Sequence, residues 1–147
     1  MNKEFIKVRT ITDITISSIL LISGIILVAL PTSVSVNIFG FFAFIIGVLL
    51  LAILKTGWLD IETKERYCLK HRYFPKNRKN EILNALENNI DSIDISDEDN
   101  EGLRVDIYYN KQNHKAFIDL FEYVPYNYER IAPTVEYTID KIKKLLG

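Results

Sequence analysis

Cysteine is almost missing: Cys68 is the single one in 147 residues, so no internal disulfide framework is available. A lone thiol suits a reducing compartment. Catalytic signatures are missing too. No dinucleotide-binding glycine turn, phosphate loop, zinc-protease helix or nucleophile elbow occurs. His71 and His114 are the only histidines, and neither has a Cys, His, Asp or Glu at metal-ligand spacing. On a β-strand Cys68 and His71 would point to opposite faces, which argues against a Cys–His nucleophile pair. No metal, no cofactor and no enzymatic activity are therefore expected. Internal repeats and low-complexity tracts are also absent.

The most informative absence is charge. Residues 14–54 carry no charged side chain at all. Within them, residues 14–30 form an uncharged run of 17 and residues 34–54 one of 21. A membrane-crossing helix needs ~20 apolar residues. The sequence thus predicts a transmembrane hairpin with spans 14–30 and 34–54, joined by Pro31-Thr32-Ser33. A signal peptide would explain the first run alone, not a second run after three residues. Two soluble core helices are disfavoured because a domain this small cannot cover helices that are apolar all round.

Charge returns on both flanks. Lys3, Lys7 and Arg9 precede the hairpin and Lys55, Lys64, Arg66 and Lys70 follow it, whereas the connecting loop has no Lys or Arg. Positive flanks stay cytoplasmic, so both termini are expected inside, in a multi-pass protein of a bacterial inner membrane. Residues 1–13 become a cytoplasmic N-terminal segment and residues 55–147 a cytoplasmic domain. Without an ionisable group inside either span, a transport or proton pathway has little support.

Residues 55–147 read as a small α+β domain of order ββαβββα, a mostly antiparallel sheet with helices on one side. Strands are expected at 58–62, 66–74, 91–96, 103–109 and 116–124. Helices are expected at 76–89 and 133–146, the second from Val135, Ile139, Ile142 and Leu146 at helical spacing. The acidic turn 97–102 follows the first half of a calcium loop. The twelfth position, where a bidentate carboxylate is required, is Tyr108, so it reads as a solvated turn.

Four surfaces are candidates for function. The basic stretch after the hairpin, with Lys55, Trp58, Arg66, Lys70 and Arg72, would face anionic lipid headgroups rather than nucleic acid. Trp58 is equally readable as a bilayer anchor or as a core residue. Gly40, Ala43 and Gly47 form a small-residue stripe, suited to packing within the hairpin or to a homo-oligomer contact. Tyr123, Tyr126, Tyr128 and Arg130 either cover the end of the core or bind a partner, since Tyr and Arg are enriched at binding hot spots. An acidic far face, Asp91, Asp94, Asp97, Glu98, Asp99 and Glu101, would steer a basic partner.

The expectation is a membrane-anchored, non-enzymatic interaction module that binds a protein partner. A narrower version is an immunity protein against a membrane-targeting toxin. The alternatives are a homo-oligomeric structural subunit of a membrane assembly and a membrane-bound enzyme without a recognisable motif.

Overall fold

A computed structural model describes residues 3–31, 33–95 and 102–147. The chain divides into two units. Residues 7–57 form one, and residues 3–6 together with 58–147 form the other.

The first unit is a helical hairpin. Helices α1 (Ile11–Ala29) and α2 (Val34–Ile53) begin and end within three residues of the two expected spans. Both are long and apolar enough to cross a membrane, and only 17% and 11% of their most apolar windows are buried. Outward-facing residues such as Ile19 and Phe39, 62% and 75% exposed, are not what a soluble core helix presents. The two helices meet through glycine. A Cβ on Gly24 would lie 2.7 Å from the Gly40 carbonyl oxygen and from the Phe44 Cα. One on Gly40 would lie 2.6 Å from the Leu27 Cβ, and one on Gly47 2.6 Å from the Leu21 N. The absent side chains let the backbones approach this closely.

The base of the hairpin is tied by one carboxylate. Thr10 caps α1, accepting from Asp13 N at 3.1 Å, while Asp13 Oδ2 accepts from Thr10 N at 2.9 Å. Asp13 also accepts from Thr56 N at 2.9 Å and Thr56 Oγ1 at 2.7 Å, joining the start of α1 to the chain just after α2.

The remaining elements are mainly those of the second unit; Lys7, Val8 and Gly57, at the ends of two strands, fall in the first. Among the described residues, β1 (Phe5–Val8), β2 (Gly57–Asp60), β3 (Arg66–Pro75), β4 (Gly102–Asn110), β5 (Lys115–Val124) and β6 (Asn127–Arg130) follow one another in the sheet. The strand β7 (Val135–Thr138) pairs with β5. The pairings from β2 onward are antiparallel. A 3-10 turn, Lys76–Arg78, leads into α3 (Lys79–Asn88), and the turn Ile139–Ile142 leads into the single-turn α4 (Lys143–Leu146). Ile82, Ala85 and Leu86 of α3, with Ile142 and Leu145, cover Phe74, Leu103, Val105, Ile107, Ile118 and Leu120 on one face of the sheet. The other face carries a separate cluster of Tyr67, Tyr108 and Phe117, with Phe5, Trp58 and Leu69 against it.

Three expectations need correction. The helix expected over 133–146 is a strand, a 3-10 turn and one helical turn. Val135, Tyr137 and Thr138 have low helix propensity and favour strands, and β5 pairs the segment along its edge. Tyr137 Oη also donates to the Leu86 carbonyl. Instead of a strand at 91–96, there is a 3-10 turn, Ile90–Ser92, with Asn89 Oδ1 accepting from Asp91 N at 3.3 Å; residue 96 lies outside the described residues. The N-terminal segment is more than a flank. Ile61 N donates to the Glu4 carbonyl at 3.1 Å, and the Phe5 ring stacks on Tyr108 at 3.9 Å.

Lys3 fixes that segment. Its Nζ lies 2.6 Å from Asp60 Oδ2, with the two side chains 6% and 0% exposed. Burial would push the Asp60 carboxyl up, but hydrogen bonds from Lys3, Glu62 N and Thr63 Oγ1 hold it below the usual carboxylate range. Burial likewise opposes the Lys3 ammonium, and Asp60 and Glu62 hold it above its ordinary value.

Candidate functional site

The helix-free face of the sheet collects the polar chemistry of the second unit. Strand register sets its side chains in rows. One row is Leu69, Tyr108 and Phe117. The next is His71, Asp106 and Asp119; the next is Tyr73, Arg104, Phe121 and Arg130; then come Tyr123 and Tyr128. Alternation dictates this, since every second residue of a strand points the same way.

Asp106 and Asp119 stand directly opposite each other on β4 and β5, 3% and 0% exposed. Like charges opposite one another destabilise a sheet. Each carboxylate has its own partners. Asp106 Oδ1 lies 2.7 Å from His71 Nδ1 and 2.8 Å from Arg104 Nε. Arg104 Nη2 donates to Asp106 Oδ2 at 3.1 Å. Asp119 accepts from Arg130 Nη2 and from Thr134 Oγ1, each at 2.6 Å. Burial pushes the Asp119 carboxyl up, against the pull of Thr134 and Arg130. Thr134 Oγ1 in turn accepts from Lys3 N at 3.3 Å.

The arginines are also held by rings. Arg104 Cζ lies 4.6 Å from the Tyr128 centroid and 4.7 Å from that of Phe121. Arg130 Cζ lies 5.6 Å from Phe121, and Tyr123 meets Tyr128 edge to face at 5.3 Å. A guanidinium fixed by a carboxylate and two rings loses little freedom when something binds it.

Tyr126 behaves differently. Val124 pairs with Asn127, so Pro125-Tyr126 is a two-residue turn, and Tyr126 has φ 71°. That region favours Gly or Asn. The ring gains nothing from the chain in exchange, being 98% exposed.

The expected site residues divide accordingly. Tyr123, Tyr128 and Arg130 come together, and Tyr126 stands at the adjoining turn. The expected lipid-facing stretch does not stay together. Trp58 packs edge to face on Tyr108 at 5.5 Å. Arg72 Nε donates to the Leu145 carbonyl at 2.8 Å, and Lys70 Nζ to that of Leu146, so both heads close the end of α4. Lys55 belongs to the hairpin unit, and both it and Arg66 are exposed. Gly40 and Gly47 face α1 within the hairpin, with Ala43 half-buried. Of the acidic turn and far face, Asp97, Glu98, Asp99 and Glu101 lie outside the described residues.

Sequence reading missed Arg104, Asp106, Asp119 and Phe121 as site residues. A signal was present: Arg104 and Asp106 at alternate positions of β4, and Asp119 alone within the apolar run 116–121 of β5. The hydrogen-bonded His71–Asp106 pair has the form of an oriented general base. Cys68 pairs with Tyr109 on the opposite face, so it supplies that pair with no nucleophile. No family model, curated protein or solved structure matches the chain.

Proposed function

We propose that the chain is a membrane-anchored, non-enzymatic interaction module whose sheet unit binds a protein partner. The carrying observation is Tyr126, a fully exposed ring on a turn position that disfavours it, beside the Arg104–Tyr128–Phe121 stack. An unfavourable backbone conformation is retained where something outside the fold selects it. Rigid aromatic and guanidinium groups suit a binding hot spot.

The anchor is the hairpin, crossing a bacterial inner membrane twice with both ends cytoplasmic. Residues 3–6 and 58–147 fold as one unit, so the segment between them crosses an even number of times. Lys and Arg on both flanks favour the cytoplasmic side. The alternative of a self-assembling subunit through Ala43 and Gly47 loses its close contact, because Gly47 is packed on Leu21.

Incorporating a photo-crosslinking phenylalanine at Tyr126 in the full chain, in its native membrane, tests this. One discrete heterologous adduct, absent when the probe replaces the exposed Lys111, is the expected result. A toxin as that adduct would give the immunity version. An adduct of the chain with itself, or the same background at both positions, would overturn the proposal.

A further inference from the structure

The hairpin unit has four charged residues, Lys7, Arg9, Asp13 and Lys55, and all of them lie at its base. Asp13 is 3% exposed and turned inward onto Thr10 N, Thr56 N and Thr56 Oγ1. Its charge is thereby satisfied inside the unit. Arg9 and Lys55 are exposed.

The same bonds set where these two cations sit. Thr10 Oγ1 and Thr56 Oγ1 are 3.3 Å apart, and Arg9 and Lys55 are their immediate chain neighbours. Arg9 Nη2 donates across the hairpin to the Ala52 carbonyl at 3.1 Å, where a cation also complements the end of the α2 dipole. A guanidinium has five N–H donors, so this bond leaves others for a second acceptor. The result is a cationic rim, fixed by hydrogen bonds, at the end of two helices whose outward surface is apolar.

We infer that this rim binds the phosphate of an anionic phospholipid. The inference rests on the reading that the hairpin spans a membrane. The acceptor must be anionic because the rim carries positive charge with its one carboxylate already engaged. It must be a lipid because the rim borders apolar helix surface that acyl chains would cover. Lys55 was in the expected lipid-facing set and Arg9 joins it here, while the heads of Lys70 and Arg72 bond the end of α4.

A basic residue near the surface of an anionic membrane contributes ~1 kcal/mol, or about five-fold in affinity. The full-length protein, in mixed micelles holding equal phosphatidylglycerol and phosphatidylcholine, would be examined by native mass spectrometry for retained lipid. Wild type should retain phosphatidylglycerol preferentially. Lys55→Gln should lower that preference about five-fold, Arg9→Gln at least as much, and Arg9→Lys far less. Lys111→Gln, in the other unit, should change nothing. Because Arg9 also caps α2, Lys55→Gln keeps the test independent of hairpin stability. Equal retention of the two lipids, or an equal effect from Lys111→Gln, would overturn the inference and leave the rim as a topology signal only. Alkaline carbonate extraction separates the two readings. A chain released from membranes refutes the anchor; a retained chain without lipid preference refutes the rim alone.

Discussion

Replacing Lys3 with methionine should destabilise the sheet unit by about 3 kcal/mol, because removing one member of a buried ion pair costs ~3–5 kcal/mol. The lower end applies because Asp60 keeps Glu62 N at 2.9 Å and Thr63 Oγ1 at 3.0 Å. Methionine keeps the length of the apolar stem but loses the ammonium that sits 4.9 Å from the Phe117 ring centroid. Asp60→Asn should cost nearer the upper end, since Lys3 is then left with Glu62 at 3.4 Å, a side chain 61% exposed. The double variant Lys3→Met/Asp60→Leu should recover at least half of the summed loss, having no buried charge to compensate. Trp58 is the chain's only tryptophan and packs on Tyr108, so its emission reports this unit in the full chain in detergent. In urea, with a slope of ~1–3 kcal/mol per molar, the Lys3→Met midpoint should fall by roughly 1–3 M. The pH window follows from the shifts. Asp60 is lowered on folding, so its contribution is complete above about pH 4 and lost as pH falls through the still lower folded value. Lys3 is raised, so its contribution is complete below about pH 10 and lost as pH rises through the folded value. Single variants costing under ~1 kcal/mol, or a double variant equal to their sum, would refute the buried-pair argument.

Tyr126→Asn should leave the Trp58 unfolding curve unchanged or move it up by ~1 kcal/mol, since Asn tolerates the left-handed region better. A loss of stability would mean that the ring packs on the fold. Gly24→Val should weaken the hairpin by ~1–3 kcal/mol because its Cβ meets backbone rather than movable side chain. Helix content on heating in detergent reads this, and an unchanged melt would contradict the packing. Asp13→Ala leaves the Thr10 cap but removes its reciprocal bond and both bonds to Thr56, and should cost ~1–2 kcal/mol. Hydrogen exchange at the Thr10 and Thr56 amides should then rise together; a rise at Thr10 alone would mean that Asp13 is only a local cap. Arg104→Lys cannot reproduce the planar stack on Phe121 and Tyr128, and should lower the urea midpoint although charge is kept.

The hairpin was legible because its evidence is local: unbroken apolarity of span length. Strands β3, β4 and β5 were legible by alternation for the same reason. The errors arise where partners are distant in sequence. Val135, Ile139 and Ile142 fall at helical spacing, yet Val135 belongs to a strand because the edge of β5 offers pairing that no local pattern reveals. Residues 3–6 look like a charged membrane flank, and contacts with residues as distant as 60, 61, 108 and 134 make them part of the sheet unit. Within the site, Tyr123, Tyr128 and Arg130 were visible as a cluster in the chain. The alignment of His71 with Asp106 and Asp119 depends on register between strands up to 48 positions apart, which composition does not encode.

Lys3 and Asp60 are 57 positions apart, with both apolar helices between them. On a ribosome adding roughly 5–20 residues per second, Lys3 waits about 3–11 s for Asp60 to be made. In that interval its ammonium has no buried partner and Phe5 has no ring to stack on. A segment made before both helices is therefore fixed only after them. By then both helices have left the ribosome. On the proposal that the hairpin spans a membrane, closing the sheet over residues 3–6 amounts to a check on insertion: a chain with only one helix across would hold the segment and its partners on opposite sides of the bilayer. Such a chain would keep the Asp60 carboxylate without its ammonium partner and leave the Tyr67–Tyr108–Phe117 cluster without the Phe5 ring.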